Sequence, residues 1–306
     1  MEVLVDWSNI FPSACYEGLL FGLVAIGVYL TFRILSFPDL SVDGTFPLGG
    51  AVVAVLIADH GWNPFLATLM AIMAGFCAGL FTGLLNTKLR ISALLSGILV
   101  MVGLWSVNLR IMDGSNQPLI RDRTIFNVAE DWLGLHGKEL EIVTVLIVVV
   151  AVFAFLNWFL RTDLGLALRA TGDNEPMVRS LGMDTDKSIL LGCGISNSLV
   201  ALAGALLAQN QGFTDVGMGF GIIVQGLATV ILGEALLRPR GISRILIASL
   251  IGAFMYRFAI IVALRQDWLQ PGDLKGATAL LVIIILAIPY IKKRMRREWI
   301  PPAKRM

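Results

Sequence analysis

Apolar residues along this chain gather in long continuous runs, not at the alternating or three-to-four spacing of a half-buried strand or helix. Runs almost free of charge cover residues 14–35, 46–58, 64–85, 92–111, 141–160, 189–209, 220–237, 243–264 and 276–291. Most approach the length of about 20 residues that an α-helix needs to cross a bilayer. In lipid a helix satisfies its own backbone N–H and C=O groups, so the pattern predicts an all-α polytopic membrane protein with eight or nine crossings. The run 46–58 is too short for a straight crossing. It either crosses with the help of residues 37–45 or re-enters the membrane buried in protein.

Composition agrees with this class. Of 306 residues, 57% are hydrophobic and only 15% charged, with a mean hydropathy of +0.79, whereas a soluble domain carries about a quarter charged residues. Little sequence is left for a soluble domain, and residues 1–306 read as one transmembrane unit. The N-terminus has no basic region before its first apolar run, so that run is expected to remain as a span. Cys15, Cys77 and Cys193 sit in or beside apolar runs without paired spacing, and read as small buried hydrophobes. His60 and His136 are far apart, and no His, Cys and carboxylate group has the spacing of metal ligands.

The charges set a direction. If every run crosses, one side holds Arg33, Lys88, Arg90, Arg161, Arg169, Arg179, Lys187, Arg238, Arg240, Arg244 and the basic tail 292–306, KKRMRREWIPPAKRM. The other side holds only Arg110, Arg121, Arg123, Lys138, Arg265 and Lys275. Positive loops stay in the cytoplasm, so the tail is expected inside and the loop 113–140 outside. The tail should also attract anionic lipid.

Two polar stretches interrupt this plan. FPDLSVDGTFPLGG, residues 37–50, puts Asp39 and Asp43 with prolines and glycines between two apolar runs. The stretch 161–188 contains GDNEPMVRSLGM, which reads as a short terminated helix. Asp173 or Asn174 can cap its start, Pro176 suits its first turn, and Gly182 can close its end in a left-handed conformation. Met177, Val178 and Leu181 are expected on one face. So short a helix is marginal alone and should dock, either on the protein's own spans, on the lipid interface, or in the groove of a cytoplasmic motor. No G-x-x-x-x-G-K-[ST] phosphate loop occurs in the sequence, so an ATP-driven cycle needs a separate chain.

Three stretches resemble the membrane permeases of bacterial ABC importers in the branched-chain amino acid and ribose permease superfamily. They are AIGVYLTFRILSFPDLSVDGTFPLGGAVVAVL, LGLALRATGDNEPMVRSLGMDTDKSILLGCGISNSLVALAGALLAQNQGF, and LATVILGEALLRPRGISRILIASLIGAFM. R-A-x-G-x-N followed by L-G-M-D-T-D-K is the most specific part, because hydrophobicity does not demand it. The PDLSVDG and R-A-T-G-D-N wording is similar to a subgroup assigned to aromatic amino acids such as tryptophan and tyrosine, or to no substrate. Gly233 and Glu234 stand where many members have a glycine pair. The resemblance implies two permease copies, two cytoplasmic ATPase subunits that bind ATP and magnesium, and an external substrate-binding protein. It assigns Asp173, Asn174, Glu175, Pro176, Met177, Val178, Arg179, Ser180, Leu181, Gly182 and Met183 to coupling with the ATPase. The chain itself would have no catalytic residue, no cofactor and no nucleic-acid partner, in a bacterial inner membrane.

Candidate path residues are Asp39, Leu40, Ser41, Asp43, Gly44, Thr45, Ser96, Asn108, Asn197 and Gln209. Each also has a plainer reading. Pro38 and Gly44 can set a bend whose backbone is satisfied by Ser41 and the aspartates. Asn197 and Gln209 can bond between helices, and the small residues of run 189–209 let backbones approach. Trp105 is an interfacial anchor or a pore-lining aromatic. Arg257, inside a span, snorkels, bonds a backbone carbonyl, or lines the path. Glu234 forms an i,i+4 pair with Arg238 or meets the ATPase.

The reading is a permease subunit of an ABC importer that moves a small solute inward, an amino acid and possibly an aromatic one. The rival is an ion-coupled secondary transporter, which would place charges in interrupted helices and show inverted repeats. Charges within the runs are sparse here and no strong repeat is visible by eye. An intramembrane enzyme would need a catalytic constellation that the sequence does not offer.

Overall fold

A computed structural model describes residues 7–119, 122–237, 239 and 241–264, together with 276, 279–280, 282–283 and 287. Most of the apolar run 276–291, and all of the basic tail 292–306, lie outside the described residues. The helices are α1 (Trp7–Tyr29), α2 (Val42–Ala58), α3 (Pro64–Thr87), α4 (Ala93–Ile111), α5 (Ile125–Leu133), α6 (Lys138–Phe159), α7 (Asp163–Ser180), α8 (Thr185–Gln211), α9 (Ile222–Leu237) and α10 (Ile242–Leu264). A small antiparallel pair, β1 (Asn116–Pro118) with β2 (Phe213–Asp215), joins two loops. Among the described residues seven helical stretches are long and apolar enough to span a bilayer, and the shorter α2 makes an eighth apolar helix.

The helix ends follow from local chemistry. Asn63 Oδ1 accepts from the Phe65 N–H at 2.9 Å with Pro64 in the first helical position, which starts α3. Asp184 Oδ1 accepts from the N–H groups of Asp186 and Lys187, which starts α8. Gly212, at φ +76°, ends it.

Helix α8 is the axis of the bundle. Its apolar window is 78% buried against 22% for α4 and 28% for α6, so α8 is enclosed by protein while α4 and α6 face outward. Small residues make this possible. A Cβ on Gly79 of α3 would stand 2.2 Å from the Cys193 carbonyl oxygen, and one on Gly204 would stand 1.9 Å from that of Phe46. Apolar side chains gain little by leaving lipid for one another, so close backbone contact supplies the cohesion. The small residues of run 189–209 therefore pack helices.

Register fixes direction. Along α8, Gly49 lies against Ala201 and Ile57 clusters with Ala208, so α2 runs parallel to α8. Gly75, Gly79 and Gly83 meet Asn197, Cys193 and Leu190, so α3 runs antiparallel. One end of the bundle carries α5 and the β1–β2 pair, and the other carries α7.

Two of the crossings are broken, and in opposite senses. After α1 a π-helical turn, Leu30–Ile34, closes with Leu35 N–H on the Leu30 carbonyl. Residues 35–41 then climb from Gly192, near the α7 end, to Asn197 at the middle of α8, where α2 begins and continues to the α5 end. Beyond α8 the chain turns back through β2 and a 3₁₀ turn, Val216–Gly219, passing Gly50 and then Asp43. There α9 begins and runs to the α7 end, where Glu234 bonds Arg33. The short second run was expected to be broken. The run 220–237 reads as an ordinary span in sequence, yet it starts at the same depth, giving the inverted pair that the sequence hides.

Candidate functional site

Asp39, Ser41, Thr45 and Asn197 are fully buried where α2 begins. Asp39 Oδ1 accepts from the Ser41 N–H at 2.8 Å and lies 2.6 Å from the Ser41 hydroxyl. Its Oδ2 accepts from Asn197 Nδ2 at 2.8 Å. Asn197 Oδ1 accepts from the Thr45 hydroxyl at 2.7 Å, and Nδ2 also donates to the Cys193 carbonyl. A carboxylate inside a membrane is costly unless its lone pairs are occupied, and this one is held by neutral donors. Gly97 of α4 lets the bend come close, since a Cβ there would lie 2.5 Å from the Leu40 nitrogen. Asn197 thus bonds between segments, and Asp39 and Ser41 form the structured break.

Asp43, half-buried in the first turn of α2, reaches the start of α9. Its Oδ2 accepts from the Gly221 N–H at 3.1 Å and its Oδ1 from the Ile223 N–H at 2.8 Å. These are orphan donors of a helix N-terminus, where a carboxylate also meets the positive end of the helix dipole. Asn108 of α4 is buried and donates through Nδ2 to the Gly44 carbonyl at 3.1 Å. Its Oδ1 has no hydrogen-bond partner among the described residues. A narrow cleft of about 20 Å³ lies here, lined by Asp43, Gly44, Pro47, Met101, Trp105, Asn108, Val216 and Phe220. Trp105 and Phe220 meet at its rim, ring centroids 5.1 Å apart. Trp105 stands beside the central break.

The remaining candidates scatter. Ser96 is buried with its hydroxyl 3.5 Å from the Ile91 carbonyl, within its own helix turn. Gln209 ties three elements at the α5 end: its Nε2 donates to Thr68 Oγ1 at 2.9 Å, and its Oε1 accepts from the Ile125 N–H at 3.0 Å. It is a structural bond away from the break. Sequence reasoning missed Phe220 and the N–H groups of Gly221 and Ile223. The signal was FTDVGMGFG, where Asp215 Oδ1 accepts from the Gly217 N–H at 2.7 Å in the same turn that Asp39 makes with Ser41.

The segment 161–188 forms α7 in two parts, broken at Asn174, which leaves helical geometry with φ −157° and ψ 85°. Asn174 Oδ1 accepts from the Met177 N–H at 3.1 Å, so Asn174 caps the second part. Gly182, at φ +83°, closes it, with its N–H on the Arg179 carbonyl. Arg179 bonds Glu175 at 2.9 Å and Asp186 at 2.8 Å, pinning this short helix to the start of α8. The expected shared face of Met177, Val178 and Leu181 is corrected: Val178 is buried, while Met177 and Leu181 are 58% and 68% exposed. Val178 lies at the edge of the arc that Met177 and Leu181 share, about 100° from Met177, and packing turns that edge inward. Asp173, Pro176, Ser180, Gly182 and Met183 are also exposed. Gly172, at the end of the first part, packs on the π-turn, where a Cβ would stand 1.8 Å from the Ile34 carbonyl oxygen. The chain continues from there into Asp39.

Two charged residues find partners far away in sequence. Glu234 bonds Arg33, its Oε1 accepting from Nε at 2.9 Å, and Arg238 lies outside the described residues. Among the described residues Arg257 bonds side chains: Nη1 meets Glu17 at 3.3 Å, Nη2 donates to Gln225 Oε1 at 2.9 Å, and the guanidinium lies over the Phe21 ring.

Two helices, α2 and α9, that start back to back beside the middle of α8 in a bundle of apolar spans, with a bent helix docked against one of the breaks, define a multi-pass transport protein. The chain belongs to the branched-chain amino acid transport system permease component family, whose profile matches residues 13–288. It is 42% identical over 275 residues to the tyrosine transport system permease protein of Clostridioides difficile, covering 90% of each chain. It is 28% identical over 240 residues to the ribose import permease protein RbsC of Escherichia coli, covering 77% of this chain and 72% of the relative. PsaBC from Streptococcus pneumoniae in complex with Fab shares the fold, with a TM-score of 0.50, 12% identity, and coverage of 91% of this chain and 90% of that one.

Proposed function

We propose that this permease is the membrane subunit of an importer powered by a separate ATP-binding cassette ATPase, and that it carries an aromatic amino acid of the tyrosine type. The ATPase would dock on the second part of α7 and bind ATP and magnesium itself. Two permease copies would assemble, the α5 end would face an external binding protein, and the basic tail would lie in the cytoplasm. The observation that carries this reading is the mounting of α7. Met177 and Leu181 are exposed apolar side chains on a short helix that Asn174, Gly182 and Arg179 hold rigid. Gly172, in the same helix, abuts the π-turn that leads to Asp39. A push on Met177 and Leu181 is thereby delivered to the break. The tyrosine permease relative supports the solute class.

The test is uptake and ligand-stimulated ATP hydrolysis by the reconstituted complex carrying Met177→Asp with Leu181→Asp. Both activities should be lost while the chain melts like the wild type. Retention of both would remove α7 as the coupling element.

A second reading, an ion-coupled carrier, gains one point from the structure, since half-crossing helices with carboxylates near mid-membrane suit such proteins. The family match weighs against it.

A further inference from the structure

We infer that the narrow cleft between α4 and the start of α9 is the collapsed binding site for a solute bearing an ammonium group and an aromatic ring. This deepens the proposed function and rests on the amino-acid part of that reading.

Four features converge on one small space. Asn108 is fully buried, yet its Oδ1 accepts no hydrogen bond from the described residues. A buried acceptor without a donor is disfavoured unless another state supplies one. The Nδ2 of the same amide is fixed on the Gly44 carbonyl, so the side chain cannot turn without losing that bond. Asp43 lines the same cavity and accepts only from backbone N–H groups; among the described residues no salt bridge engages it. A carboxylate has lone pairs for more than two donors. One carboxylate and one amide oxygen lining the same space form a receptor for an ammonium group.

The aromatic half is supplied at the rim. Trp105 and Phe220 face each other with centroids 5.1 Å apart and planes 41° apart, and both are partly open to the surface. Trp105 comes from α4 and Phe220 from the turn that leads into α9. A ring inserted between them would stack on both faces, and an ammonium nearby would gain from the electron-rich face of the indole.

At about 20 Å³ the cavity now holds no more than a water-sized body. Binding therefore requires α4 to part from the turn before α9, and closure after release restores the Trp105–Phe220 contact. The site sits directly on the first turn of α2, whose preceding residues lead to the π-turn against Gly172. Solute and coupling segment thus act on the same break from opposite sides.

The experiment uses the full chain in lipid nanodiscs without ATPase or binding protein, and reads binding by saturation-transfer NMR. The probes are L-tyrosine, tyramine, 3-(4-hydroxyphenyl)propionate and L-leucine. Tyrosine and tyramine should bind and compete, while the deaminated acid and leucine should bind at least about tenfold more weakly. Asn108→Leu should weaken tyramine about ten- to a hundredfold, and Phe220→Leu should reduce the preference for tyrosine over leucine by about tenfold. If Asn108→Leu does not fold, Trp105→Leu, which leaves the Asn108–Gly44 bond intact, should weaken tyramine by about tenfold. Binding that ignores Asn108, Trp105 and Phe220, a preference for the deaminated acid, or no binding of any probe would overturn the site. None of these results touches the coupling reading, which stands or falls on ATP hydrolysis.

Discussion

Asp43 Oδ1 accepts a hydrogen bond from the Ile223 N–H at 2.8 Å across 180 residues of sequence. A side chain in the first turn of one half-crossing helix thereby caps the other. The contact makes the two breaks one unit, and Gly219 packs so closely beside it that a Cβ would lie 1.9 Å from the Asp43 carbonyl oxygen.

Removing that carboxylate leaves two N–H groups at the start of α9 without a protein acceptor. Asp43→Ala should lower stability by about 1–3 kcal/mol, read as a lower midpoint of unfolding in mixed micelles. Asp43→Asn, which keeps one acceptor oxygen, should lose less. Equal losses would mean that the cap does not hold α9.

The glycine seam offers a contrast within one residue type. Gly204→Ala would force a Cβ to 1.9 Å from the Phe46 carbonyl oxygen, so α2 and α8 must separate and the protein should lose at least about 2 kcal/mol or fail to accumulate. Gly103→Ala meets nothing within 4 Å. Inside α4 it should be neutral or stabilise by up to about 1 kcal/mol through helix propensity. Thermal melting of the two variants in detergent tests the pair, and similar melting would contradict the packing.

Much of this was legible in the sequence. Run length marked the spans, and the short run 46–58 with its D-L-S-V turn marked a broken one, because a helix deficit shows directly as missing apolar residues. The Asn174 cap and the Gly182 terminator were equally readable, since each is a local consequence of one residue type. What the sequence concealed was pairing over distance. Nothing local distinguishes Glu234 bonded to Arg33 from Glu234 paired with Arg238. Nor could the run 220–237 show that its first turn lies against Asp43 at the start of α2, because the glycines that bend the chain into it are as apolar as a span requires. Val178 was grouped with Met177 and Leu181 by spacing, and tertiary packing turned it inward.

The Arg257 cluster should be coupled to Glu17. Arg257→Met leaves Glu17 and Gln225 without their partner in the bundle, at a cost of about 1–3 kcal/mol, below that of a fully buried pair because the Glu17 side chain is 35% exposed. Adding Glu17→Gln should recover part of the loss. A double-mutant cycle in mixed-micelle unfolding measures this, and strict additivity would show that the two charges do not interact.

The source of energy tests the account most directly. Proteoliposomes containing the permease, its ATPase subunit and binding protein should accumulate labelled tyrosine only with ATP on the α7 side. Proton and sodium gradients should drive none through the permease alone. Accumulation by the isolated chain under an ion gradient, with no response to ATP in the complex, would contradict it.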